Sequence, residues 1–284
     1  MTVVLSTIPA ARQWVQAERS AGKTIGLVPT MGALHEGHLS LFRRARQRCD
    51  RVIASLFVNP LQFGPAEDYD RYPRDFERDL ALIEQEGLDA VFHPEAQAMY
   101  PQPPEISVSP GRLGELLCGR SRPGHFQGVA TVVAKLLNIL QPDVAFFGQK
   151  DAQQAIIIKR MVEDLNFPVA IEVCPIVREP DGLALSSRNL YLSAEERACA
   201  PVLYRALRRA EMLIRSGVRD AARLEEEMQE VIRAAPGVEL DYACVVDRQS
   251  LNEVQEVTGE VLLAVAARFG KTRLIDNLMV APGT

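Results

Sequence analysis

The sequence has few of the features that mark disulfide-bonded, zinc-binding or membrane-spanning proteins. Its five cysteines are scattered and include no Cys-x-x-Cys pair, which argues against a disulfide framework and against a zinc ribbon. No apolar run approaches the length of a membrane span, and the first residues show no basic start followed by a long apolar core. We therefore expect a cytoplasmic protein without a membrane partner, whose cysteines are buried small apolar residues.

An excess of positive charge is also missing. The chain carries 32 Lys plus Arg against 37 Asp plus Glu, a net charge of −5. A tRNA-sized partner would require a broad basic surface, so we expect no nucleic-acid partner. A local basic cluster at residues 43–48 lies in a segment with an apolar stripe, and we interpret it as the solvated face of a helix.

Two common nucleotide-binding fingerprints are absent as well. The chain contains neither Gly-x-Gly-x-x-Gly after a strand nor Gly-x4-Gly-Lys-Ser/Thr, so neither the dinucleotide-binding fingerprint nor the P-loop applies.

Its 284 residues suffice for one large domain or two of moderate size, and we expect two.

A Gly-rich turn between a strand and a helix carries the most chemical information. Residues 25–28 predict a buried strand, and the apolar residues Leu39, Phe42 and Ala45 recur at helical spacing. The turn between them therefore lies at the carboxyl end of a strand, where open parallel sheets bind ligands. The N–H groups and the dipole of the following helix favour an anion there.

Two histidines, His35 and His38, lie in this turn. They are three residues apart, so they share a face once the helix has begun, and both could donate to phosphate oxygens. The pair could instead belong to a metal site or serve only the structure of the helix start. A metal needs a third or fourth ligand, and the other histidines are His93 and His125, without a cysteine pair nearby, so we expect no protein-bound metal.

A second turn of the same design follows a predicted strand at residues 144–147. It opens another helix with Gly148, Gln149, Lys150 and Asp151, of which Lys150 supplies a compact positive charge for a phosphate and Asp151 could cap the helix. A later segment, residues 177–189, contains Ser-Ser-Arg, whose hydroxyls and guanidinium could bind a phosphate, although such triplets are also common in ordinary loops.

Neutral amides follow the strand predicted at residues 52–58. Asn59 and Gln62 lie in a Pro-containing loop at the strand edge, where they could bind the hydroxyl and carboxylate groups of a small substrate or merely cap the turn.

Residues 120–126 form a basic, Gly-containing segment before a predicted helix. This segment could be a mobile lid or an ordinary surface loop.

Alternating strand and helix patterns predict an α/β fold with a Rossmann-like parallel sheet flanked by helices over residues 1–176. From residue 177 to 284 the composition changes, and we expect a smaller α+β cap domain. Its predicted elements are helices at 194–216 and 219–234 and strands at 240–246, 261–267 and 272–275.

The order of these motifs resembles the pantothenate synthetases (pantoate–β-alanine ligases), a family of the HxGH nucleotidyltransferase superfamily. The resemblance rests on Pro-Thr-Met-Gly-x-Leu-His-x-Gly-His at 29–38, Phe-Val-Asn-Pro-x-Gln-Phe at 57–63, Gly-x-Lys-Asp-x-x-Gln at 148–154, and residues 185–188. It implies that ATP activates pantoate as pantoyl adenylate with release of pyrophosphate, and that β-alanine then displaces AMP to give pantothenate. It also implies Mg2+ held through the ATP phosphates and a homodimer.

The resemblance further implies a set of site residues. The implied catalytic residues are His35, His38, Lys150 and Arg188, with His38 as proton donor, and Gln62, Gln154 and Asn59 are assigned to pantoate and β-alanine. Many members have Glu at position 149, which leaves the role of Gln149 open. The implied ATP-binding residues are Met31, Gly32, Ala33, Leu34, His35, Glu36, Gly37, His38, Gly148, Gln149, Lys150, Asp151, Val177, Leu185, Ser186, Ser187 and Arg188.

Two other functions are compatible with an HxGH site. A nucleotidyltransferase acting on a phosphorylated small molecule would prefer a basic residue where Gln62 and Gln154 stand, and its product would keep the AMP moiety. A non-catalytic nucleotide-binding module would bind ATP without turning it over. Both are less compatible with the neutral amides of this sequence than a carboxylate-activating ligase is.

Overall fold

The computed structural model describes residues 1–65 and 67–282. The chain forms two compact units, of which the first comprises Met1–Gly148 and Ile157–Pro175. The second comprises Gln149–Ile156 and the chain from Ile176 onward. The predicted division into domains after residue 176 stays a prediction, and no sequence pattern indicated that Gln149–Ile156 belongs with the second unit.

A six-stranded parallel sheet forms the centre of the first unit, in the order β1-β4-β3-β2-β5-β6. The chain extends from β2 through β3 to β4 on one side, whereas β5 pairs with the opposite edge of β2. The strand order thus reverses at β2, which is where doubly wound sheets bind ligands. The strands are β1 Val3–Leu5, β2 Ile25–Thr30, β3 Arg51–Leu56, β4 Ala90–Phe92, β5 Val144–Gly148 and β6 Ala170–Cys174.

Helices surround this sheet, which confirms the Rossmann-like class predicted from the sequence. They are α1 Ile8–Ser20, α2 Glu36–Arg48, α3 Phe76–Gln85, α4 Ala96–Met99, α5 Cys118–Ser121, α6 His125–Leu140 and α7 Ala152–Asp164. The predicted β2-α2-β3 unit is present, with Leu41, Phe42 and Ala45 of α2 in one apolar cluster with Val28 and Ala54 of the strands. Short 3-10 turns occur at Pro60–Gln62, Gly111–Gly114, Gln149–Asp151 and Ser187–Tyr191.

The basic cluster on α2 lies on the surface, as predicted. Arg43 pairs with Glu36 and Glu86, and Arg44 pairs with Glu172. These arginine side chains remain nearly half exposed, so the pairs add little to stability.

The second unit contains an antiparallel sheet of β7 Val238–Asp247, β8 Val261–Phe269 and β9 Thr272–Val280, with helices α8 Ala194–Cys199, α9 Val202–Arg215 and α10 Ala221–Arg233. The prediction of one continuous helix at 194–216 is wrong, because the chain breaks between α8 and α9 at Pro201, which has no backbone N–H to donate. Strand β9 extends five residues past the predicted end at Ile275.

The five cysteines are free thiols. Cys118 and Cys174 are buried, as predicted, whereas Cys49, Cys199 and Cys244 are only partly so. Burial raises the pKa of Cys49 to about 11. Within residues 1–65 and 67–282, none of the helices combines the length and apolar character that a membrane crossing requires.

Candidate active site

The turn after β2 has positive φ angles at two successive residues. Gly32 has φ +81°, and a Cβ at that position would lie 2.8 Å from Oδ2 of Asp79. Ala33 also takes a positive φ, 51°, which costs an L-residue about 1 kcal/mol. Thr30 supports the turn at its start, since its hydroxyl donates to the carbonyl of Ser55 and accepts from the N–H of Gly32.

A buried carboxylate, Asp79 of α3, holds this turn. Its two oxygens accept hydrogen bonds from the N–H groups of Ala33 at 2.7 Å and Leu34 at 2.9 Å. Burial raises the pKa of Asp79, although the two N–H groups and nearby Arg78 lower it. Asp79 thus occupies the N–H groups of Ala33 and Leu34, which precede α2. The anion site expected at the N–H groups of the helix itself stays a prediction, as do the ATP contacts implied for Ala33 and Leu34.

The replacement Asp79→Asn should destabilise the protein by about 2 to 3 kcal/mol, because an amide can accept only one of the two hydrogen bonds and points its NH2 at the other N–H. Urea unfolding measures the change in the free energy of unfolding. Asp75→Asn is the matched control, since Asp75 caps the same helix through the N–H of Arg78 and asparagine caps as well as aspartate. Equal stability of the two variants would contradict the assigned role of Asp79.

The two histidines of the motif cap α2 reciprocally. Nδ1 of His35 accepts from the N–H of Gly37 at 3.2 Å, and Nδ1 of His38 accepts from the N–H of His35 at 3.4 Å. A neutral imidazole that accepts at Nδ1 carries its proton on Nε2. Both rings, whose centroids lie 4.1 Å apart, are therefore held as Nε2–H tautomers at the positive end of a helix.

Gln62 lies next to this motif, at the carboxyl edge of the neighbouring strand β3. Its Nε2 donates to Sδ of Met31 at 2.9 Å, and its Oε1 accepts from Nδ2 of Asn59 at 3.2 Å. One N–H of the amide has no partner among the residues that the structure describes. The structure thus brings together three of the predicted site residues, Met31, Asn59 and Gln62.

Asn59 is 1% exposed, and the protein occupies all of its polar atoms. Its Nδ2 donates to Gln62 and to the carbonyl of Gly128, while its Oδ1 accepts from the hydroxyl of Tyr100 and the N–H of Leu61. Asn59 caps the turn Pro60–Gln62 through the N–H of Leu61, as one of the two sequence interpretations predicted. Its amide also orients Gln62, which neither interpretation predicted.

The segment at 120–126 is more ordered than a loop, because it includes the end of α5 and the start of α6. The Nε2 of His125 accepts from Arg122, so its Nδ1–H donates to the carbonyl of Gln62 at 2.8 Å. Arg122 also binds the carboxylate of Glu67 at 2.6 Å. Burial alone raises the pKa of Glu67, but the hydrogen bonds and charge of Arg122 lower it below its usual value.

Close packing at Gly128 fixes this arrangement. A Cβ there would lie 2.2 Å from the carbonyl oxygen of Leu61, so only glycine lets α6 approach the turn that carries Gln62. Motion of the segment as a lid stays a prediction.

In the second unit, Lys150 lies in the 3-10 turn Gln149–Asp151, and its Nζ is 3.8 Å from Oδ1 of Asp151. The predicted segment from residue 177 folds back on itself, since the N–H of Leu185 donates to the carbonyl of Val177 at 3.0 Å. The Oγ of Ser186 accepts from the N–H of Arg188 at 3.3 Å.

The remaining predicted residues of this unit, Ser187 and Gln154, are both half-buried. Gln154 lies on α7, two residues after the helix begins, and Ser187 opens the 3-10 turn Ser187–Tyr191. The structure describes no hydrogen bond of the Gln154 side chain.

The sequence reasoning missed a buried ion pair in the second unit. Asp276 accepts two hydrogen bonds from Arg178, at 2.6 and 2.9 Å, and the guanidinium lies 4.0 Å from the ring centroid of Tyr204. The sequence did contain one indication of a buried polar interaction, because Asp276 and Asn277 lie in the middle of a largely apolar strand.

The buried carboxylate of the first unit left a similar signal. Asp79 lies on the apolar face of α3 defined by Phe76, Leu80 and Ile83. Across residues 1–65 and 67–282, the structure contains no group of three or more His, Cys, Asp or Glu side chains able to hold a metal ion.

Comparison with known proteins decides the family. A family model described as pantoate-beta-alanine ligase matches residues 3–279. The chain belongs to this family. A pantothenate synthetase of Heliobacterium modesticaldum is 55% identical over 277 residues, which are 98% of this chain and 99% of the relative.

Solved structures of the family have the same fold. A crystal structure of pantothenate synthetase from Thermus thermophilus matches with a TM-score of 0.92 and 48% identity, over 98% of this chain and 99% of the other. A pantoate-beta-alanine ligase from Francisella tularensis, described as complexed with beta-gamma ATP and beta-alanine, matches with a TM-score of 0.81 and 34% identity, over 98% of each chain. The predicted family, the fold class and the ligase class of enzyme are thereby confirmed.

Proposed function

We propose that this ligase activates the carboxylate of pantoate with ATP and transfers the resulting pantoyl group to β-alanine. In the first step, a carboxylate oxygen attacks the α-phosphorus of ATP, the bond to the β-phosphate oxygen breaks, and pyrophosphate leaves. In the second step, the amine of β-alanine attacks the carbonyl of pantoyl adenylate, loses a proton, and releases AMP with pantothenate. The related ligase complexed with beta-gamma ATP and beta-alanine supports these substrates.

The observation that carries the proposal is the pair of histidines that cap the start of α2 through Nδ1, which places a hydrogen on Nε2 of each neutral ring. Two hydrogen-bond donors fixed at a helix N-terminus match the negative charge that develops on the α-phosphate and on departing pyrophosphate. His38 is the proposed hydrogen-bond donor to the leaving group, with His35 a second donor beside it. Their fixed tautomers require no reorganisation during the reaction. The proton transfer from His38 that the resemblance implies would need a protonated ring, since a neutral ring that lost its Nε2 proton would become an imidazolate.

Lys150 and Arg188 bind phosphate groups in this mechanism. Both are in the second unit, and each lies in a turn whose backbone is held by hydrogen bonds. Mg2+ carried by ATP would supply positive charge to neutralise the phosphates, and Lys150 and Arg188 would add theirs to it. The remaining ATP contacts are those implied by the motifs at 31–38, 148–151 and 185–188.

Neutral amides bind pantoate. The unused N–H of Gln62 can donate to a hydroxyl or carboxylate oxygen without adding a charge that competes for phosphate, and Gln154 plays the same part. Asn59 acts in this set through its hydrogen bond to Gln62. A homodimer and a cytoplasmic location stay predictions.

The replacement Gln62→Glu should raise the KM for pantoate at least tenfold and leave the KM for ATP unchanged, with tenfold corresponding to about 1.4 kcal/mol. It keeps the acceptor for Asn59 but removes the amide donor and places a negative charge near the carboxylate of pantoate. Steady-state kinetics with each substrate varied in turn gives both constants. The matched control is Gln97→Glu at an exposed position. A raised KM for ATP with normal pantoate kinetics would mean that the two subsites are reversed.

The products distinguish the proposed function from the other two. Incubation with ATP, Mg2+, pantoate and β-alanine should give AMP and pantothenate in equal amounts, measured by mass spectrometry. A product that retains the AMP moiety would indicate nucleotidyl transfer to another acceptor. ATP binding without turnover would indicate a binding module, and either result would overturn the proposal.

A further inference from the structure

Strand β9 carries a buried asparagine whose side chain serves another segment of the same unit. Asn277 is 3% exposed. Its Nδ2 donates to the carbonyl oxygens of Gln149 at 2.9 Å and Lys150 at 3.0 Å. Its Oδ1 accepts from Nε2 of Gln149 at 3.3 Å. One side chain thus binds the turn at three points.

The turn Gln149–Asp151 is a short connection between the end of β5 at Gly148 and the start of α7 at Ala152. It is a single 3-10 turn, whose hydrogen-bond geometry is poorer than that of an α-helix. Rotation of the Gln149–Lys150 peptide or of the Lys150–Asp151 peptide would change the φ or ψ angle of Lys150. The side chain of Lys150 would then point in a different direction. Both amide hydrogens of Asn277 are committed to these two peptides.

Asn277 is itself held rigidly. The N–H of Asn277 donates to Oδ1 of Asp276 at 2.7 Å, and Arg178 donates to the carbonyl of Asn277 at 3.4 Å. Arg178 is fixed in turn by its two hydrogen bonds to Asp276 and by stacking on Tyr204. Because these hydrogen bonds restrict the conformation of Asn277, its side chain can fix the backbone geometry of the turn Gln149–Asp151.

We propose that Asn277 is a positioning residue of the ligase, which fixes the peptides of Gln149 and Lys150 and thereby directs the ammonium group of Lys150 to a phosphate of ATP. The inference rests on the proposed phosphate-binding role of Lys150. It also assigns a role to Gln149, whose side-chain amide donates to Oδ1 of Asn277 while its main-chain carbonyl accepts from Nδ2 of Asn277. A glutamate at 149 could not donate this hydrogen bond.

A double-mutant cycle on ATP binding tests the inference. Asn277→Ala should weaken ATP binding about tenfold. The loss of its hydrogen bonds to the turn weakens a single contact, that of the Lys150 ammonium group with phosphate. In a Lys150→Met background the same change should weaken it less than about twofold, because the group being positioned is gone. Titration calorimetry with Mg-ATP measures all four proteins. The KM for pantoate at saturating ATP should be unchanged.

Two further variants separate positioning from general destabilisation. Gln149→Ala should have a smaller effect than Asn277→Ala, since it removes one of the three hydrogen bonds. Val245→Ala opens a cavity at a fully buried position of the same sheet without touching the turn, and should leave ATP affinity unchanged despite a lower melting temperature.

Equal effects of Asn277→Ala in the two backgrounds, or an equal loss of affinity in Val245→Ala, would overturn this inference and leave the proposed function intact. A Lys150→Met protein that binds ATP as tightly as the wild type would instead overturn the phosphate-binding role of Lys150, and this inference with it.

Discussion

The replacement His38→Ala should lower the rate of adenylate formation by about 100- to 1000-fold while the fold is retained. The reason is the loss of the Nε2–H donor that Nδ1 capping holds in place at the start of α2. The rate is measured under single-turnover conditions with ATP and pantoate, without β-alanine. Loss of the cap should cost about 1 kcal/mol of stability, well below what would unfold the protein.

Two variants at the same position separate the chemical role of His38 from its capping role. Asparagine places its side-chain oxygen where Nδ1 lies and preserves the cap, but it has no group at Nε2, so His38→Asn should be as slow as His38→Ala. Glutamine reaches the position of Nε2 with an amide N–H, so His38→Gln should recover part of the rate. Near-normal activity of His38→Asn would exclude Nε2 as the donor.

The second large effect is expected at Lys150. Lys150→Met removes the positive charge at nearly constant length and should lower kcat/KM for ATP by about 100-fold, because a charged contact to phosphate is lost in the ground state and the transition state. Steady-state kinetics with ATP varied at saturating pantoate gives the value.

Lys159→Met is the matched control for this change. Lys159 is exposed on α7, so its variant changes the net charge by the same amount and should leave kcat/KM for ATP unaltered. Comparable losses in the two variants would show that the overall field, rather than a specific contact of Lys150, governs ATP use.

Sequence reasoning predicted the β2-α2-β3 unit, because the buried strands are continuously apolar and the helix has a clear stripe. The helix prediction was wrong at Pro201. Residues that favour helix on both sides of Pro201 led to the prediction of one continuous helix, whereas the chain forms two. Sequence reasoning also placed the end of the last strand at Ile275, although the strand continues through the polar residues Asp276 and Asn277. Their burial is tolerated because Arg178 and the turn at Gln149 satisfy their polar groups, and sequence periodicity contains no information about those partners.

The candidate site shows the same limit. Motifs whose residues are close in the chain, such as His35 and His38, are visible in the sequence. The rings do lie together, although His35 is the extended N-cap residue just before α2 and not part of the helical face. The residues that hold these motifs are distant in the chain, as Asp79 is from Leu34 and Asn277 from Lys150. Each is a polar residue in an otherwise apolar pattern, so the sequence marks it as unusual without naming its partner.

Isotope exchange between pyrophosphate and ATP tests the central claim most directly. With purified protein, Mg2+ and pantoate, and without β-alanine, labelled pyrophosphate should appear in ATP, because adenylate formation is reversible and needs only the first two substrates. Omission of pantoate should abolish the exchange. Exchange that does not require pantoate, or no exchange by a protein that demonstrably binds ATP, would contradict the proposed activation of pantoate as an adenylate.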